Sequence, residues 1–221
     1  MHLESISGRV PGKEEPVSYS EKTLAQFSTL LSEKVSVPGG GGAAALAGAL
    51  AAALGSMTGR FTVGKKRYAA VEEEIQACIE ACAGLRIKLL EKIDEDAEAF
   101  EPLSRAYGLP KDAENREEIL EKCLKDAAKA PAEIAALSKE VIDHADVLAH
   151  KGSTLMVSDA GCSAVLAKAS FQAAVLNVYV NTRLMKDREA AEKLNEEMRK
   201  LEENCLEKAD EIYAYVAERL K

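Results

Sequence analysis

The chain contains no tryptophan, and aromatic residues make up only 5% of its 221 positions. Period-2 alternation of β-branched residues is missing throughout, so no segment reads as a strand. Glycine and proline are scarce, at 14 and 6. An alanine-rich, charge-rich chain with so few aromatics and breakers folds as a helical bundle. Basic residues are in deficit, 29 against 37 acidic, for a net charge of −8. That argues against a nucleic-acid or anionic-membrane partner, whose binding rests on Lys and Arg. A run of about 18 uninterrupted apolar residues, the minimum for a membrane span, is also lacking. The longest apolar stretch, Ala43 to Met57, is mostly Ala and Gly. The charged-then-apolar design of a signal peptide is missing at the start.

Metal-binding patterns are equally poor. The histidines are His2, His144 and His150, and neither H-E-x-x-H nor C-x-x-C occurs. Glu140 precedes His144 by one residue too many for the E-x-x-H pairs of a di-iron bundle. No metal is expected, and a Ser–His–Asp triad has no histidine in a suitable context. The odd set Cys78, Cys82, Cys123, Cys162 and Cys205 lies in helix-like text and reads as reduced core residues of a cytoplasmic protein.

What is present, 47% hydrophobic with 30% charged residues, suits a folded globular chain. Residues 1–19, with Gly8, Pro11, Gly12 and Pro16, read as a flexible arm. The remainder, 20–221, reads as one all-α domain of about six long helices. Thr23 and Gln26 have capping-box spacing. Pro38 and Gly39–Gly42 then break the chain before an Ala-rich helix over 43–60. The next helix, over 66–100, carries the seam Tyr68, Val71, Ile75, Cys78, Cys82, Leu85 and Leu89, in steps of three and four. The same register brings Lys92 and Asp96 to that face. Pro102, Gly108 and Pro110 mark a loop, and Asn115 with Glu118 marks a helix start. Pro131 either kinks the following helix or opens a new one. Gly152 closes it, Ser158 caps a helix over 159–186, and 189–220 forms a last amphipathic helix.

Gly59 to Lys66 nearly fits a P-loop, but Lys66 replaces the magnesium-binding hydroxyl and a helix, not a strand, precedes it. Gly39–Gly42 is either a crowded helix start or a nest of free N–H groups for a ligand oxygen. Lys65, Lys66 and Arg67 are the densest basic cluster in an acidic chain, a solvated face or an anion contact. Asp96 on an apolar seam is either the ion-pair partner of Lys92 or a functional carboxylate with an abnormal pKa. Asn177 and Asn181, one turn apart, either link helices or read a polar heterocycle.

Several segments together resemble the formiminotransferase-cyclodeaminase family. They are Val37–Gly48, Thr62–Tyr68, the Asp94-Glu95-Asp96-Ala97-Glu98-Ala99-Phe100 run, Ala130-Pro131, Ser158–Gly161, and Leu176 through Asp187. Gly152-Ser153-Thr154-Leu155 and Gly42 depart from the pattern. The resemblance implies an all-helical homodimer in the cytoplasm that binds a reduced folate near the subunit interface, without a metal or redox cofactor. It implies hydrolysis of 5,10-methenyltetrahydrofolate to 10-formyltetrahydrofolate. The alternatives are cyclodeamination of 5-formiminotetrahydrofolate with release of ammonia, and a non-catalytic folate-binding dimer. On this reading Asp96 is the catalytic carboxylate and Asp94 and Asp159 support it. Lys65 or Lys66 supplies a proton. Pro38, Gly39, Gly40, Gly41, Gly42 and Arg67 meet the pterin and the glutamate tail, and Asn177 and Asn181 meet the pterin edge.

Overall fold

The computed structural model describes residues 18–221; the expected arm over 1–19 lies almost wholly outside the described residues. Every regular element among them is helical. In order these are α1 (Leu24–Ser32), α2 (Gly40–Arg60), α3 (Glu72–Tyr107), α4 (Arg116–Ala127), α5 (Lys129–Lys151), α6 (Val157–Leu184), α7 (Arg188–Glu202) and α8 (Cys205–Leu220). Short 3-10 helices over Lys66–Val71 and Thr154–Met156 lead into α3 and α6. Six of these helices run for 15 residues or more; α1 and α4, whose starts the sequence marks at Thr23 and Asn115, are shorter.

Local chemistry explains most boundaries. The Thr23 side chain accepts from the Gln26 N–H at 3.2 Å while Gln26 Oε1 accepts from the Thr23 N–H at 3.0 Å, so the capping box forms. Pro131 sits in the first turn of α5, where its missing N–H costs nothing, and so opens a new helix. Pro102 does not end α3. The ring faces solvent while Leu103 and Ala106 behind it are buried in a second apolar cluster with Leu124, Ala127 and Met185, and that burial carries the helix on to Tyr107. Ser158 is not a cap; the 3-10 turn starts the helix earlier, at Val157. The expected last helix is two, because Asn204 adopts φ 64°, a left-handed conformation that asparagine tolerates. Asn115 does the same before α4 and makes no side-chain cap.

The core is built around α2. Gly41, Gly48 and Gly55 recur at heptad spacing and lie against Asp96, Leu89 and Cys82 of α3 in descending order, so the two helices run antiparallel in close approach. On its other flank α2 meets α6, also antiparallel. Ser170 Oγ donates to Ala44 O at 2.7 Å and Ser163 Oγ to Ala51 O at 2.8 Å. These bonds satisfy hydroxyls buried between helices. By length and composition alone α2 and the segment Thr154–Leu184 that contains α6 could each cross a membrane, although Asp159, Lys168 and Arg183 interrupt α6. About half of each is buried against other helices (50% and 44%), the mark of core helices. Cys78, Cys82 and Cys205 are buried as expected, whereas Cys162 is exposed.

Candidate functional site

The seam continues as its spacing predicts. Ile75, Cys78, Cys82, Leu85 and Leu89 are buried, and Asp96 follows on the same face, half-buried against α2. Its carboxylate rests over the first turn of α2. A β-carbon at residue 41 would lie 2.1 Å from Asp96 Oδ1, so only glycine leaves room for this carboxylate. Gly42 supplies a backbone hydrogen bond to it. Burial pushes the Asp96 carboxyl up to about 6, and the Gly42 bond offsets part of that rise. The positive end of the α2 dipole lies on the same spot. Lys92 is not the partner of Asp96. Its ammonium is held by Glu95 of its own helix at 2.5 Å and by Glu133 of α5. Among the described residues no cation pairs with Asp96.

Gly40 meets α6. A β-carbon there would fall 2.9 Å from Asn177 Nδ2, which donates to Ala173 O at 2.8 Å. Asn181 is buried, and its amide donates to Asn177 O at 2.9 Å and Ala127 O at 3.3 Å, tying α6 to the end of α4. One end of the bundle therefore brings together Gly40–Gly42, Asp96 and Asn177, with Pro38 buried against Gly42 and Gly39 capping α2, and Asn181 one turn behind.

Other expected site residues lie elsewhere. Asp94 turns to the N-terminal segment. Its carboxylate accepts from the Tyr19 N–H at 2.5 Å, from Ser20 Oγ at 2.5 Å and from Ser18 Oγ at 3.2 Å. Lys65, Lys66 and Arg67 are exposed beyond the far end of α2, whose 21 residues span about 30 Å. Arg67 stacks on Tyr68 at 5.6 Å, and the Tyr68 hydroxyl accepts from the Thr154 N–H at 3.1 Å. Asp159, in the first turn of α6, belongs to that far end too. Within one chain the carboxylate and the basic cluster do not meet. Sequence reasoning missed Glu133 as the partner of Lys92, and Ser18 to Ser20 as the ligands of Asp94. These pairs are far apart in the chain, and no local pattern marks them. Among the described residues no three His, Cys, Asp or Glu side chains converge as a metal site would require.

This arrangement sets a carboxylate of raised pKa and a primary amide side by side at the start of a helix. Known proteins share the scaffold. A formiminotetrahydrofolate cyclodeaminase from Thermotoga maritima superposes with a TM-score of 0.79 at 31% identity, covering 90% of this chain and 96% of that one. A methenyltetrahydrofolate cyclohydrolase from Methylorubrum extorquens is 40% identical over 181 residues, 80% of this chain and 87% of that protein. The formimidoyltransferase-cyclodeaminase of Gallus gallus is 29% identical over 88% of this chain, which spans only 36% of that longer enzyme. The formiminotransferase-cyclodeaminase family model matches residues 23–200, nearly all of the bundle that holds Asp96 over Gly41, and the chain belongs to that family.

Proposed function

We propose that this protein hydrolyses 5,10-methenyltetrahydrofolate to 10-formyltetrahydrofolate. The observation that carries the reading is the Asp96 carboxylate, seated over Gly41 with no cation paired to it among the described residues. The similarity to the Methylorubrum cyclohydrolase over most of both chains supports it. The methenyl carbon is a cationic amidinium between N5 and N10, so the substrate itself supplies the charge that Asp96 lacks. Bound beside that cation, an ionised Asp96 stabilises it and takes a proton as water attacks. The new C–O bond gives a carbinolamine. Its C–N5 bond then breaks, N5 takes up a proton, and the hydroxyl loses its own to become the formyl carbonyl. Water gives up two protons, N5 keeps one, and one leaves to solvent. The carbon is already electrophilic, so the step needs no metal or redox cofactor. Asn177, whose amide is oriented by its bond to Ala173 O, hydrogen-bonds the pterin edge, and the Gly39–Gly42 turn admits the ring.

The working form on this reading is a cytoplasmic homodimer. Leu176, Val180 and Leu184 lie exposed along one flank of α6, Leu176 at 67%, and α2 beside it carries no charge before Arg60. A second copy packed antiparallel on this face covers it and lays its basic cluster beside the Asp96 end, where Lys65 or Lys66 delivers the proton to N5. Asp159 travels with that cluster as the supporting carboxylate. Loss of the methenyl absorbance on adding purified protein tests the activity. The Thermotoga neighbour favours one second reading, cyclodeamination of 5-formiminotetrahydrofolate. Ammonia released from that substrate, with methenyl hydrolysis at the uncatalysed rate, would make it the correct one.

A further inference from the structure

Between the N-terminal segment, α1, α2 and α3 lies a cavity of about 240 Å³. Phe27, Leu46, Leu90 and Ile93 give it apolar walls, and Lys22 and Arg86 line it as well. Both cations are half-buried, and among the described residues neither side chain makes an ion pair or a hydrogen bond. A cation drawn partly out of water gains from a matching anion, because desolvating its charge unpaired is costly. Here the chain is acidic and most of its other half-buried cations are matched, as Lys92, Lys168 and Lys208 are. Two unmatched cations on one apolar cavity are the chemistry of a site for an anion carried on a flat apolar group. The volume falls below the range of whole small-molecule sites, so the cavity suits part of a ligand.

The cavity adjoins the candidate site. Ile93 forms its wall and also lies against Gly42, 3.7 Å from where a β-carbon would be. Arg86 precedes Asp96 by ten residues on the same helix, about 15 Å along its axis. Asp94 holds Tyr19 and Ser20, which close the cavity from the N-terminal side.

We propose that this cavity binds the p-aminobenzoylglutamate arm of the substrate, with Arg86 and Lys22 holding its glutamate carboxylate. The inference rests on the folate reading above. It assigns the tail to cations of the chain that supplies Asp96, and leaves proton delivery to Lys65 or Lys66.

Arg86→Gln, Lys22→Gln and the double variant are compared with the unaltered protein on two substrates. One is 5,10-methenyltetrahydrofolate; the other is the methyl ester of 5,10-methenyltetrahydropteroate, which has neither the glutamate nor a free carboxylate. The double variant is expected to raise KM for the folate about tenfold or more, the scale of a lost charge-assisted hydrogen bond, with kcat little changed. Its KM for the pteroate ester stays at the unaltered value, and Arg86→Lys recovers part of the loss. Equal changes on both substrates, or none on either, would overturn the proposal. Melting curves check folding, and neither substitution removes a native partner. Calorimetry with p-aminobenzoylglutamate alone separates the two readings. Fragment binding that the double variant loses, in a protein that turns over neither substrate, upholds the subsite and defeats the hydrolase reading. Hydrolysis by the unaltered protein with no fragment binding defeats the subsite.

Discussion

Asp96 and Gly41 occupy each other's space: the carboxylate of one lies where the β-carbon of the other would stand, 2.1 Å from Oδ1. Gly41→Ala therefore pushes Asp96 off the first turn of α2 while adding only a methyl group. The expected result is a loss of turnover of about tenfold or more with the helical circular dichroism retained, since small displacements of a positioned group are costly to catalysis. Unchanged turnover would show that the close approach has no catalytic weight.

The pH dependence of stability and of activity take opposite signs. The folded-state value for Asp96 is raised to about 6 from 3.8, so the folded protein holds this proton more tightly than the unfolded chain. The stability contributed by protonated Asp96 is full below the unfolded value and is lost as pH rises through about 6. Activity needs the ionised form, so kcat/KM is expected to fall as pH drops below about 6. A rate profile flat between pH 5 and 7 would contradict this.

Asp94 serves the chain rather than the substrate in this geometry. Asp94→Ala removes an acceptor shared by Ser18, Tyr19 and Ser20. The expected cost is about 1–3 kcal/mol in denaturant melts. Limited proteolysis should then cut near residues 18–22 faster than in the unaltered protein. An undiminished melting midpoint would show that these contacts are dispensable.

Gly84 is the counter-case to Gly41. It lies inside α3, and a β-carbon there meets nothing within 4 Å. Gly84→Ala should stabilise the protein by up to about 1 kcal/mol, because alanine is the better helix former. A lower melting temperature would mean that packing at this position is tighter than it looks.

Much of this was legible in the residues. Steps of three and four from Ile75 to Leu89 pointed Asp96 inward, and the Thr23–Gln26 spacing located α1. The scatter of the site was legible too: an uninterrupted helix between Gly40 and Arg60 already separates Asp96 from Lys65 by about 30 Å, and only the arithmetic of rise per residue was needed. Other features were not. The left-handed turn at Asn204 that splits α7 from α8 has no Gly or Pro to announce it. The pairing of Lys92 with Glu133 depends on how α3 meets α5, which no local pattern encodes. Asp94 looks like Asp96 in sequence, yet two positions along a helix turn a side chain to a different flank, here onto Ser20.

The central claim is that Asp96 acts on the substrate. The direct test is the rate of methenyl hydrolysis by Asp96→Asn beside the unaltered protein near pH 7.5, with melting temperatures from the same preparations. The amide keeps the shape but takes no proton and offsets no positive charge. Turnover is expected to fall by about 100-fold or more, the scale of a lost acid–base group. The melting temperature should hold or rise, since a half-buried charge with no cationic partner among the described residues has been removed. Turnover near that of the unaltered protein, with a depressed melting temperature, would contradict the account and make Asp96 a structural residue.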